Sequence, residues 1–223
     1  MIFRLSRSGE GSDATRTMSS SAVVIVLAAG HGSRFDGVRH KLTQPLGSST
    51  VLGQTVGHAI ESGLPVVVVT TEPLMAEAAR MVAGRDVVLV PQPSDAARQS
   101  GMGDSIAAGV SARPDAAGWL VLPGDMPLVM PGSLRAVAMA LAQHPVVFAQ
   151  HMGRRGHPVG FAAELFSDLV QLTGDEGARR IVARYPSHGV EVGDAGVLVD
   201  VDTQADLAAV QAAVAEHGLR GVH

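Results

Sequence analysis

Cysteine is absent from the 223 residues, which removes disulfides, thiolate metal sites and a cysteine nucleophile together. That absence is compatible with a reducing compartment, and a cytoplasmic location is the expectation. Aromatic residues are scarce, at one Trp, one Tyr and five Phe, so the stacking platforms of a single-strand binder are missing. A net charge of −4 offers no basic face of the kind a nucleic-acid partner needs. No run of about 18 uncharged apolar residues occurs, so no segment reads as a membrane span. The nine histidines form no H-E-x-x-H pattern. His151 and His157 are too loosely spaced for zinc and read as loop histidines.

What is present describes a globular chain. Apolar residues make up 46% and charged ones 17%, and the length suffices for one sizeable core. Residues 1–17, MIFRLSRSGEGSDATRT, lack the apolar stretch of a secretory signal. With Met18 just before the first apolar run, residues 1–20 read as a disordered tail or an upstream start. Residues 21–217 read as a single domain and 218–223 as a C-terminal tail.

From Ala22 onward strand and helix patterns alternate. Val23–Leu27 is a continuous apolar run, expected of a strand buried on both faces. Leu52, Val56, Ala59 and Ile60 recur at helical spacing and stop at Gly63. Further strands are expected at 65–70, 87–90, 119–122, 146–149, 157–161 and 197–201. Further helices are expected at 75–82, 102–111, around 134–141, at 163–172 and at 175–184. Thr203 and Asp206 read as a capping box opening a last helix. The alternation implies an α/β three-layer sandwich: a mostly parallel sheet with helices on both faces. Ligands of such sheets sit beyond the carboxyl ends of the strands.

One such end carries L-A-A-G-H-G-S-R, then Lys41. It is not a dinucleotide fingerprint, because Phe35 stands where the third glycine belongs. It is not a Walker A loop either, because Val38 follows Gly37 where lysine is required. Small residues still allow backbone N–H groups to approach phosphate oxygens. Arg34 adds a forked contact and Lys41 a point charge. The plain alternative is a glycine-rich turn with solvated charges.

Four further features bear on that choice. Asp125 in L-P-G-D-M-P follows a buried strand, where a carboxylate suits Mg²⁺, or is a turn aspartate before proline. Gly101-Met-Gly-Asp-Ser105 opens a helix whose amides could contact an anion, or it is a simple cap. Asp200 and Asp202 would share one face of a strand end, one as a second metal ligand and one as a helix cap. Asp175 and Arg179 either order an acceptor or form an i,i+4 ion pair.

LAAGHGSR, HKL, GMGDS, PGDMP, GHPVGF, GDEGAR and VDVDT occur in order over residues 22–210. Each is a weak signal; the ordered set resembles the molybdenum cofactor nucleotidyltransferases, specifically the cytidylyltransferase branch. The resemblance implies a nucleotidyltransferase (Rossmann-like) architecture and transfer of CMP from CTP to the phosphate of the molybdopterin cofactor. Pyrophosphate leaves, and Mg²⁺ is the cofactor. It places nucleotide binding on Leu27, Ala28, Ala29, Gly30, Gly32, Arg34, Lys41, Gly101 and Ser105. Asp125, with Asp202, would hold the metal. The catalytic set would be Arg34, Lys41 and Asp125, and the acceptor side His157, Asp175 and Arg179. In the guanylyl branch glycine stands where Ala29 stands here. Partners would be CTP or another NTP, the molybdopterin cofactor and a recipient molybdoenzyme. The alternatives are GTP as donor, a sugar or alcohol phosphate as acceptor, or a non-catalytic carrier of the cofactor.

Overall fold

The computed structural model describes residues 21–30, 35, 40–90 and 100–220. The chain begins with β1 (Val23–Ala28), followed by a short hairpin of β2 (Pro45–Leu46) and β3 (Ser49–Thr50). Helix α1 (Val51–Glu61) starts where the Thr50 side chain accepts a hydrogen bond from Gly53 N–H at 3.0 Å. Then come β4 (Val66–Thr70), α2 (Glu72–Ala78), β5 (Val87–Leu89), α3 (Met102–Ser111) and β6 (Gly118–Pro123). The second half holds α4 (Pro131–Ala140), β7 (Val146–His151), β8 (Arg154–Ala162), α5 (Phe166–Leu169), α6 (Arg179–Arg184), β9 (Ser187–Glu191) and α7 (Gln204–Arg220).

Seven strands form one sheet in the order β5-β4-β1-β6-β8-β7-β9, all parallel except β8. The three-layer α/β architecture follows from side-chain alternation in its central strands. Val24, Val26 and Ala28 of β1 point into a core closed by α1, α2, α4 and α7. Val23 and Ile25 point the other way, into a core closed by α3, α5 and α6. The first core is mostly aliphatic and the second adds Trp119 and Phe161; burial on both faces is why the uninterrupted runs in β1, β4 and β6 are strands and not surface segments.

The strands differ from the sequence expectation at residues 197–201, in β9 and in the short β2–β3 hairpin. Residues 197–201 are not a strand: Ala195–Leu198 form a 3-10 turn, and Val201 N–H donates to the Asp125 carbonyl at 2.9 Å. Val197 and Val201 are buried, so their apolar pattern reports core packing and not a ladder. Of the strands not expected, β2 and β3 have only two residues each, and β9 is an edge strand of sequence SHGVE with no buried residue, which leaves no apolar alternation to detect. The expected tail at 1–20 lies outside the described residues, and the boundary expected at 217 falls within α7.

The sheet order sets the site. After β1 the chain moves outward to β4 and β5, then returns to β6 on the opposite side of β1. The carboxyl ends of β1 and β6 therefore diverge into a crevice at the switch point. Because β8 runs antiparallel, its first residues lie at that same edge. Val121 pairs with Val159, and His157, two residues before Val159, lines the cavity at this edge together with Pro123.

Candidate active site

A cavity of about 630 Å³ opens at this edge, bounded by the end of β1, the turn after β6, the start of α3, the start of β8 and residues 197–202. At its base three charged groups from remote parts of the chain converge. Lys41 Nζ donates to Asp125 Oδ2 at 2.6 Å and to Asp202 Oδ1 at 2.8 Å. Burial disfavours the Lys41 charge, but the two carboxylates outweigh it and hold the ammonium's pKa above its ordinary value. Asp125 Oδ1 is buried and, among the described residues, has no hydrogen-bond partner. A carboxylate with one oxygen on an ammonium and the other orphaned, beside a second carboxylate, is a donor set that suits a hard divalent cation.

Backbone contacts fix this cluster. Gly124 N–H donates to the Leu27 carbonyl at 2.8 Å, and Thr55 Oγ1 donates to the Gly124 carbonyl at 3.0 Å. These tie the turn carrying Asp125 to β1 and α1. Downstream of Asp202, Asp206 accepts from Thr203 N–H and Thr203 Oγ1, both at 2.7 Å, while Asp206 N–H donates to Thr203 Oγ1 at 3.2 Å. This is the reciprocal cap the sequence led us to expect. It anchors α7 directly behind Asp202.

Lys41 itself is delivered by a 3-10 turn, Lys41–Thr43, capped by His40. His40 Nδ1 accepts from Leu42 N–H at 3.2 Å, which leaves Nε2–H to donate to the Gly30 carbonyl at 2.9 Å. The two ends of the 31–39 segment are thereby joined. Gly32 and Arg34, expected on the nucleotide, lie in that segment and outside the described residues.

Of the remaining expected residues, Leu27, Ala29, Gly30, Gly101, Ser105, His157 and Asp175 line the cavity with Lys41, Asp125 and Asp202. Ala28 does not: its side chain is fully buried in the core on the opposite face. Arg179 does not either, and the i,i+4 ion pair of that region is Glu176 with Arg180 at 2.6 Å. The amides of α3 are also less available than the sequence suggests. Gly103 N–H donates to the Gly174 carbonyl at 2.7 Å, and Asp104 Oδ2 accepts from Gly101 N–H and Gly174 N–H, each at 2.9 Å. The GMGDS stretch is thus the docking surface for the 173–177 loop.

Arg154 and Arg155 join the site from the start of β8. The Arg155 guanidinium lies 4.2 Å from the Phe148 ring centroid. Sequence reading passed over them because strand direction is not written in strand composition; in a parallel β8 they would lie at the far edge. His157, next along, has its pKa pushed below the ordinary 6.5 by burial, against the pull of Asp125 and Asp200 and with the help of Arg155. Asp200 lines the cavity as well. Another missed signal is simple: Lys41 is the chain's only lysine.

Comparison with known proteins gives a consistent picture. The profile of the family described as "MobA-like NTP transferase domain" matches residues 24–190. The "Bifunctional protein GlmU" of Halorhodospira halophila (strain DSM 244 / SL1) is 34% identical over 118 residues, covering 53% of this chain and 24% of that protein. Its counterpart in Xanthomonas campestris pv. campestris (strain 8004) is 30% identical over 164 residues, covering 71% and 35%. The chain therefore spans between a quarter and just over a third of the length of these curated relatives. Among solved structures, Rv0371c from Mycobacterium tuberculosis H37Rv superimposes with a TM-score of 0.73 at 28% identity, covering 87% of this chain and 98% of that one. A complex of Rv0371c with manganese gives 0.71 at 28%, covering 87% and 99%.

Proposed function

Because the chain belongs to the family of MobA-like NTP transferase domains, we propose that it transfers CMP from CTP to the terminal phosphate of the molybdopterin cofactor, with release of pyrophosphate. Nucleotidyl transfer from a nucleoside triphosphate is the part that family membership supports. The observation that carries the reading to chemistry is the convergence of Asp125 and Asp202 on Lys41 at the switch point of the sheet.

The acceptor's own phosphate is the nucleophile, so the chain needs no activated serine or cysteine. Its work is to position two anions and to neutralise charge. Asp125 and Asp202 would hold a divalent cation; when bound, it supplies charge neutralisation at the phosphate oxygens. The manganese complex of the similar Rv0371c and the orphaned Asp125 Oδ1 support that assignment, with Mg²⁺ the expected ion. Lys41 and Arg34 neutralise the departing pyrophosphate. Gly30 and Gly32 let the backbone of the first loop approach the triphosphate. Arg154, Arg155, His157 and Asp175, which also line the cavity, would bind the acceptor and its phosphate. Ala29 supports a pyrimidine: its methyl narrows the entry beside β1 and leaves less room for a purine.

Pyrophosphate release, measured with each of CTP, GTP, ATP and UTP against molybdopterin cofactor and a sugar phosphate, tests this reading. CTP with molybdopterin cofactor is expected to give the highest kcat/KM. GTP as best donor would overturn the cytidylyl assignment, and turnover with the sugar phosphate alone would overturn the acceptor. Retention of the cofactor without pyrophosphate release would make the chain a carrier.

A further inference from the structure

The position that a divalent cation needs between Asp125 and Asp202 is taken by a side chain of the protein. Lys41 Nζ sits 2.6 Å from an oxygen of one carboxylate and 2.8 Å from an oxygen of the other, charge-assisted hydrogen bonds slightly longer than the roughly 2.0–2.6 Å at which oxygen ligands hold hard divalent cations. We propose that Lys41 is the resident counter-ion of this site, that it leaves both carboxylates when a divalent cation takes them, and that it then turns to the phosphates entering the cavity. The proposal rests on the nucleotidyl-transfer reading for the identity of its two exchange partners.

Three observations carry it. An ammonium and a divalent ion cannot share the same two oxygens, since their repulsion at such distances is large in a partly buried site. Asp125 Oδ1, buried and among the described residues without a partner, shows that Lys41 satisfies only half of that carboxylate. The residue type is also telling. Of 17 basic Lys and Arg residues, this position alone is lysine. A guanidinium would grip a carboxylate through a rigid fork, whereas an ammonium on a flexible stem is a point charge that can change partners. Metal and phosphate binding then become mutually dependent. Without a divalent cation Lys41 compensates one of the two carboxylate charges, and releasing it is easiest when an anion is there to receive it.

The full chain, free of nucleotide, is titrated with Mn²⁺ while free Mn²⁺ is read by electron paramagnetic resonance. Lys41→Met is expected to bind Mn²⁺ at least about tenfold more tightly than the wild type, because the internal competitor is gone. Separately, the wild type is treated with an amine-reactive reagent and Lys41 modification is read by peptide mass spectrometry. As the single lysine, its signal is distinct from that of the N-terminal amine. Modification is expected to be several-fold faster with saturating Mn²⁺. Affinity in Lys41→Met equal to or weaker than wild type, or labelling unchanged or slowed by Mn²⁺, overturns the exchange. Circular dichroism establishes whether Lys41→Met is folded; if it is not, the labelling of the wild type decides. Neither measurement uses turnover, so failure of the CTP or molybdopterin assignment would register only in the pyrophosphate assay.

Discussion

Asp125 depends on its charge twice over, once for the ion pair with Lys41 and once for the buried oxygen that no donor among the described residues reaches. Asp125→Asn keeps the shape and removes the charge. The fold should survive, and pyrophosphate release should fall by at least roughly 10²-fold, the scale of deleting one electrostatic element. Near wild-type turnover would take Asp125 out of the site. Ala29 is a weaker determinant. A single methyl discriminates by about 1–3 kcal/mol, so CTP should be favoured over GTP by tens- to hundredfold, and Ala29→Gly should relax that ratio toward GTP. Comparing kcat/KM for both nucleotides in both proteins checks it. His157 makes a statement about pH. Its folded pKa is depressed by burial, so the unfolded chain takes up its proton first as pH falls. The associated stability is present above about pH 6.5 and declines below it. His157→Gln should therefore flatten the fall in Tm between about pH 6.5 and about pH 5. Parallel Tm profiles for the two proteins would show that His157 is not held neutral.

Between elements, the start of α3 and the 173–177 loop behave as one unit. A side chain at Gly101 would overlap the Gly174 carbonyl and come within 2.6 Å of Asp175 Oδ1. Gly101→Ala should thus cost about 1–3 kcal/mol in denaturant unfolding through overpacking, and it should also displace the cavity wall that Asp175 provides. An unfolding midpoint equal to wild type would show that the loop yields without loss. This scale also explains what was legible in the residues. VVIVL, VVVVT and WLVL announce themselves because a parallel strand under helices on both faces must be apolar throughout. SHGVE does not, because an exposed edge strand is held by backbone bonds to β7 and by polar and ring contacts such as the His144–His188 stack, which leave no apolar pattern in its sequence. The 195–201 segment misleads in the opposite direction. Gly196 approaches the Leu128 carbonyl too closely for a side chain, while Val197 and Val201 fill the core. Apolar spacing there records a tight crossing under the sheet edge. Lys41, Asp125 and Asp202 were each visible as candidates, yet their meeting was not, since it depends on strand order and not on spacing.

Over the whole molecule the site acts as a clasp. Lys41 reaches Asp125 across 84 residues and Asp202 across 161, so its ligands would bridge β1, β6, β8 and the entry to α7. Anything that binds the folded chain and not the unfolded one stabilises the entire domain by mass action, about 2.7 kcal/mol at a ligand concentration one hundred times Kd. For a domain of this size each kcal/mol raises Tm by about 2–4 °C, which makes a shift of roughly 5–10 °C. Trp119 is the natural reporter. It is the only tryptophan, fully buried on β6, with Nε1–H donating to the Arg113 carbonyl at 3.0 Å and its ring 5.8 Å from that of Phe166. Its emission should change only when the sheet itself opens, and its melting curve should coincide with that from far-ultraviolet circular dichroism if the domain unfolds as one unit. CTP with Mg²⁺ should move both curves upward together in the wild type and leave them nearly in place in Asp125→Asn. A shift of equal size in that variant would mean that the nucleotide is held without the carboxylate cluster, and that the stabilising contacts lie elsewhere on the sheet edge.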